Sequence, residues 1–175
     1  MKNTKQKKIY SVAYYGILLS LAVIFGWIEN MFLIVPHIPG IKLGLSNAVF
    51  LVILYNNGVR PAITVNLMRI IIINLLFGGI YSFFFAVSGF ILSCAVSVPL
   101  YRCKLAGIVC ISMYGAVFHN TGQLLFVCII TSAVSVFYYL PFLLVSGIAF
   151  GAVTGVISKT VISRLRFSQP KNDIN

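Results

Sequence analysis

The stretch LAGIVCISMYGAVFHNTGQLLFVCII, residues 105–130, carries no charged side chain. As a helix it would run roughly 39 Å at 1.5 Å per residue. That exceeds the ~30 Å hydrocarbon core of a bilayer, so the stretch reads as a membrane-spanning helix. Yet it holds His119, Asn120 and Gln123 within five residues of one another. His119 and Gln123 are four apart and Asn120 is adjacent, so the three share one helix face. Three polar side chains on one face cannot point at lipid without a cost of several kcal/mol, so that face must turn inward. If 105–130 spans a membrane, it does so as one member of a bundle.

The rest of the chain agrees. Of 175 residues, 60% are hydrophobic and only 9% are charged, with a mean hydropathy of +1.03. A soluble domain carries roughly 25% charged residues. Bilayer lipid is therefore the expected solvent. The formal charge of +11 raises the alternative of a nucleic-acid binder, but its distribution argues against one. Lys2, Lys5, Lys7 and Lys8 precede the first apolar run, Arg60, Arg102 and Lys104 sit in short gaps, and Lys159, Arg164, Arg166 and Lys171 close the chain. Basic residues gathered at the ends of apolar runs follow the positive-inside rule.

Six spans are expected: 9–27, a short one at 43–55, then 61–77, 80–101, 105–130 and 138–162. They make one all-α transmembrane domain, 9–165, between a basic N-terminus (1–8) and a tail (166–175). MKNTKQKK also resembles the basic start of a signal peptide. The run after it is long, however, and no A-x-A site follows, so the first span is expected to remain. The basic residues put both termini in the cytoplasm. The connections at 29–42, 78–79 and 131–137 then face outward, with Lys42 their one basic residue. Trp27, Tyr81, Tyr138 and Tyr139 fall near the outer interface, where amphipathic rings belong.

Depth then groups the polar residues. From Leu105, His119 lies roughly 21 Å up, in the outer half, with Asn120 and Gln123 above it. Arg69 is near the middle of the third span, with Asn74 further out and Asn66 a turn below. The second span descends from outside, which puts Asn47 in the outer leaflet, and Glu29 and Lys42 bracket the outer loop. Arg69 cannot shed its proton and must face the bundle with a partner. Asp173 lies in the tail, so Glu29 is the one protein counter-charge available to Arg69 or Lys42. Two cations against one carboxylate leave a positive charge that a bound anion could balance. Glu29, Lys42, Asn47, Arg69, Asn74, His119, Asn120 and Gln123 are thus expected to line a ligand pocket open to the exterior. The plainer alternative is a set of hydrogen bonds between neighbouring helices.

Small residues mark two further faces. GIAFGAVTG places Gly147, Gly151 and Gly155 four apart, so another backbone can approach that face. Gly16/Ser20 and Ala22/Gly26 repeat the spacing in the first span. Internal packing explains both faces; the first is also a candidate for docking a partner membrane protein. Pro36 and Pro39 break the apolar outer loop, which could fold over the pocket as a lid. PGIKLG lacks the spacing and the Lys-Ser/Thr pair of a P-loop. Cys94, Cys103, Cys110 and Cys128 form no C-x-x-C pair, and we read no disulfide framework, metal site or cofactor motif from them. His37 is assigned nothing.

Four stretches together, PGIKLGLSN (39–47), MRI (68–70), FHNTGQLL (118–125) and YYLPFLLVSGIAFG (138–151), resemble the Gx transporter family, also labelled heptaprenyl diphosphate synthase component I. The resemblance covers about residues 10–165. The chain departs from it at Ser46, where alanine is usual, and at Phe118 before the His-Asn pair. The resemblance implies a six-helix fold similar to the substrate-binding subunits of energy-coupling-factor transporters. Those subunits bind vitamin-like molecules from outside, beside a membrane coupling subunit and two cytoplasmic ATPases. It also implies a bacterial plasma membrane, with flavin- or quinone-handling machinery as possible company.

Three functions follow. A binding subunit for small-molecule uptake fits the external pocket; lacking a nucleotide site, it would need a separate energising module. A catalytic prenyl synthase needs paired aspartate-rich motifs to hold Mg²⁺ against diphosphate. With Glu29 and Asp173 the only acids, the chain is expected to be at most a non-catalytic accessory of such an enzyme. The third function is an anchor for a flavin or quinone redox complex.

Overall fold

The computed structural model describes residues 2–31 and 44–168, and it is helical almost throughout. Its elements are α1 (Lys2–Met31), α2 (Leu45–Asn57), α3 (Val59–Phe77), α4 (Ile80–Arg102), α5 (Ile108–Thr131) and α6 (Leu140–Ser168). A 3₁₀ segment, Val134–Tyr139, leads into α6. Five helices are long and apolar enough to cross a membrane, and the protein reads as a membrane protein. With 13 residues, α2 is only about 20 Å long, short of a full hydrocarbon core.

Local chemistry sets the breaks. Gly58 is the single residue between α2 and α3, at φ +93°, a conformation costly to residues with a Cβ. Its N–H still caps Leu54 O at 3.2 Å. The turn expected at 56–60 shrinks to this residue, and Arg60 and Pro61 join the first turn of α3, where proline's missing N–H costs nothing. At the other sharp turn Lys104 takes φ +53°, and Leu105 N–H bonds to Leu100 O at 3.2 Å. Residues 105–107 therefore belong to that turn, and α5 starts at Ile108 rather than at the expected 105. α1 runs past the expected 9–27 at both ends, since nothing in its flanks breaks a helix.

α2 is the most enclosed helix. Ala48 through Leu54 are all buried, with α1, α3, α5 and α6 around them. A helix apolar on every side belongs in such a place. Phe50 meets Phe90 of α4 edge-on, with centroids 6.0 Å apart. The other main unit is the consecutive trio α4, α5 and α6. A Cβ on Gly151 would stand 2.8 Å from Met113 Cα, one on Gly155 2.8 Å from Val109 Cα, and one on Gly147 3.2 Å from Val117 Cα. These three glycines thus bring α6 against the backbone of α5. The buried hydroxyls of Ser112 and Thr154 bond across the same seam at 3.0 Å. Around the outside, large apolar side chains such as Leu75, Ile91, Ile129 and Val145 are exposed, as a lipid-facing belt requires.

Candidate functional site

Between these two groups of helices lies a cavity of about 110 Å³. A water needs about 10–15 Å³ by this measure, so the space suits several waters or a small molecule. Its walls come from the C-terminal part of α1 (Gly26, Glu29), the start of α2 with Gly44 before it, and the stretch 66–74 of α3 (Asn66, Arg69, Asn74). The N-terminal half of α4, the stretch 116–123 of α5 and the stretch 147–154 of α6 complete them. All these segments sit toward the end of the bundle away from the chain termini. The cavity gathers Glu29, Asn47, Arg69, Asn74, His119, Asn120 and Gln123. Lys42, the eighth expected site residue, lies outside the described residues, as do the proposed lid and His37.

Each side chain has its own setting. Glu29 is buried, and one carboxylate oxygen accepts the N–H of Leu45 while the other accepts the Ser46 hydroxyl at 2.7 Å. It therefore caps the N-terminus of α2 from another helix. α2 needs this, because Gly44 precedes it in the left-handed region and offers no side-chain cap. The same carboxylate acts through space on Arg69. The Arg69 Nε is buried with no hydrogen-bond partner among the described residues. The expected pairing of Glu29 thus takes another form here: both its oxygens bind the start of α2.

On α5, Asn120 Nδ2 donates to Leu143 O of α6 at 2.9 Å, so this amide ties two helices together. Gln123 is 3% exposed, and its Oε1 has no hydrogen-bond partner among the described residues. Asn74 Nδ2 donates to Ile70 O at 2.8 Å, one turn back on α3.

Sequence reasoning missed several parts of these walls. A Cβ on Gly89 would lie 2.8 Å from Gln123 Cγ and 2.9 Å from His119 Cε1. Gly89 is what lets α4 lie against the polar face of α5. Its signal was a lone glycine inside a long apolar helix, which costs about 1 kcal/mol against alanine and calls for a packing reason. Phe50, Phe85, Phe90 and Phe150 supply the apolar lining, and in so apolar a sequence no pattern picks them out.

The small-residue face of α1 divides. Gly16 and Ser20 are exposed. Ala22 is 2% exposed, and a Cβ on Gly26 would stand 2.3 Å from Ile73 Cδ1. Ala22 and Gly26 thus pack inside the protein, which leaves Gly16 and Ser20 as the accessible part of the expected docking face.

No match was found among curated proteins or among solved structures. A family model described as heptaprenyl diphosphate synthase component I matches residues 18–161. That span covers most of the chain and includes every residue of the cavity wall, from Gly26 to Thr154; the chain belongs to this family.

Proposed function

We propose that the chain is a membrane-embedded binding component for small-molecule uptake, with its pocket open to the exterior, acting beside a separate energising module. One observation carries the reading. One cavity gathers polar groups from α1 to α5, and two of its lining residues carry buried atoms, Arg69 Nε and Gln123 Oε1, that have no hydrogen-bond partner among the described residues. Buried polar groups are nearly always satisfied, so two orphan atoms on residues that line one space favour a ligand over a plain interhelical network.

Charge supports the orientation. Arg60, Arg102, Lys104, Lys159 and Arg164 are exposed at the end of the bundle opposite the cavity. The positive-inside rule puts that end in the cytoplasm, with both termini, and the cavity toward the outside. In this reading α2 is a sixth, short span in the cell membrane. In the same reading the bundle is similar to energy-coupling-factor substrate subunits, and the exposed Gly16–Ser20 face of α1 is where a coupling membrane protein would dock.

The family's description favours a second reading. It denotes one component of a synthase, so the chain would be a non-catalytic membrane accessory with a synthase partner. The scarcity of carboxylates, with Glu29 committed to α2, supports diphosphate chemistry on that partner rather than on this chain. An anchor for a flavin or quinone complex has no specific observation behind it. Mild detergent extraction of the tagged chain, followed by mass spectrometry of bound small molecules and proteins, separates the readings. The uptake reading expects a co-purifying small molecule together with ATPases. A prenyl synthase subunit with no bound small molecule would overturn it.

A further inference from the structure

Resting on that reading, we infer the chemical class of the ligand: a small carboxylate with an apolar ring and a hydroxyl group, its carboxylate on Arg69 and its hydroxyl on Gln123.

The anion follows from how charge is distributed around the cavity. Arg69 is the one permanent cation among the described lining residues. The carboxylate of Glu29 is engaged by the Leu45 N–H and the Ser46 hydroxyl, at a helix N-terminus whose partial positive charge it meets directly. The buried Arg69 Nε still lacks an acceptor. A guanidinium presents Nε and a terminal nitrogen as a planar fork, which fits the two oxygens of a carboxylate side-on. A single carboxylate matches a single guanidinium. A prenyl diphosphate, with its several negative charges, does not.

The second group follows from Gln123. Its Oε1 is buried without a donor among the described residues. A hydroxyl on the ligand donates to that oxygen and can accept from a neighbouring donor as well. The ring follows from Phe50, Phe85, Phe90 and Phe150, four aromatic residues among those that line the space. Polar groups at two points and an aromatic lining between them describe a compact ring acid, not a sugar or a long lipid tail.

Titration of the detergent-solubilised full-length chain tests this, with 4-hydroxybenzoate, benzoate, 4-hydroxybenzyl alcohol and inorganic diphosphate as probes. Wild-type protein is expected to bind 4-hydroxybenzoate most tightly, benzoate more weakly, the neutral alcohol more weakly still, and diphosphate not at all. Arg69→Gln should weaken both carboxylates on the order of ten- to a hundredfold while leaving the alcohol unchanged. Gln123→Leu should erase the preference for 4-hydroxybenzoate over benzoate. If either variant fails to fold, the wild-type ranking decides alone. The inference is overturned if the neutral alcohol binds as well as the acid, if diphosphate is preferred, or if neither carboxylate binds saturably. A neutral or cationic molecule co-purifying with the wild-type chain, and bound in competition with none of the acids, would sink the inference and leave the binding reading standing.

Discussion

The carboxylate of Glu29 on α1 accepts the hydroxyl of Ser46 on α2 at 2.7 Å, across seventeen positions of sequence. This contact seats the start of the most buried helix and forms one corner of the cavity.

Breaking it should weaken the whole bundle. Glu29→Ala leaves the Leu45 N–H and the Ser46 hydroxyl without their acceptor in a buried place. A loss of about 1–3 kcal/mol is expected, read as a lower thermal midpoint in detergent and faster amide exchange at Leu45 and Ser46. Glu29→Gln should lose less, because its amide oxygen can still accept one of the two. Equal stability of Glu29→Ala and wild type would show that the cap does not hold α2.

Gly89 and Gly107 make a matched pair. Alanine at Gly89 must displace Gln123 and His119, since its Cβ would lie under 3.0 Å from both. A cost of about 1–3 kcal/mol is expected, together with weaker ligand binding. Gly107 has nothing within 4 Å of a Cβ and an ordinary φ of −72°, so Gly107→Ala should change neither. Thermal melts and binding titrations of the two variants side by side check this.

Asn120 and Gln123 should separate in their effects. Asn120→Ala removes the bond to Leu143 O and should cost about 1 kcal/mol, the usual size of an interhelical hydrogen bond in a membrane protein. Gln123→Leu removes an oxygen that has no hydrogen-bond partner among the described residues, so its stability should stay the same or rise while affinity for the co-purified molecule falls. Unchanged affinity in Gln123→Leu, and in folded His119→Ala and Asn120→Ala as well, would make this face structural glue.

Orientation can be read from thiols. Cys103 is exposed in the turn between α4 and α5, at the end assigned to the cytoplasm, and Ser135 is exposed in the 3₁₀ segment at the other end. In intact cells a membrane-impermeant thiol reagent should label Ser135→Cys and spare Cys103 until the cells are opened. The reverse order would invert the topology.

Much of this was open to sequence reasoning because a bilayer constrains so strongly. A long uncharged run must be a helix, and polar side chains in it must face inward, so the inward turn of His119, Asn120 and Gln123 and their meeting with Arg69 followed from spacing and depth. The cap on α2 did not follow. Leu45 and Ser46 are neutral residues far from Glu29 in sequence, and charge reasoning sent that carboxylate toward a cation instead of a helix end. The division of the α1 face was equally hidden, because Gly16/Ser20 and Ala22/Gly26 share one spacing and only the position of α3 distinguishes them. Boundaries slipped where a residue outside the usual breakers took a left-handed turn, as Lys104 did.

The placement of α6 also bears on the order in which the molecule is made. α4, α5 and α6 pack as neighbours in sequence, but α6 also lies against α2, so it closes on a helix that begins 95 positions earlier, at Leu45 against Leu140. At roughly 5–20 residues per second, α1 to α3 wait several seconds in the membrane for that partner. During that wait the guanidinium of Arg69 sits in a half-built bundle, open to lipid or to whatever insertion machinery shields it. A chain stopped before Leu140 would still insert its earlier spans, but Asn120 would lack the carbonyl of Leu143 and the cavity would lack a side. The cavity therefore gains its last wall only when α6 is in place, and in the proposed reading no ligand is held there before α6 has joined the bundle.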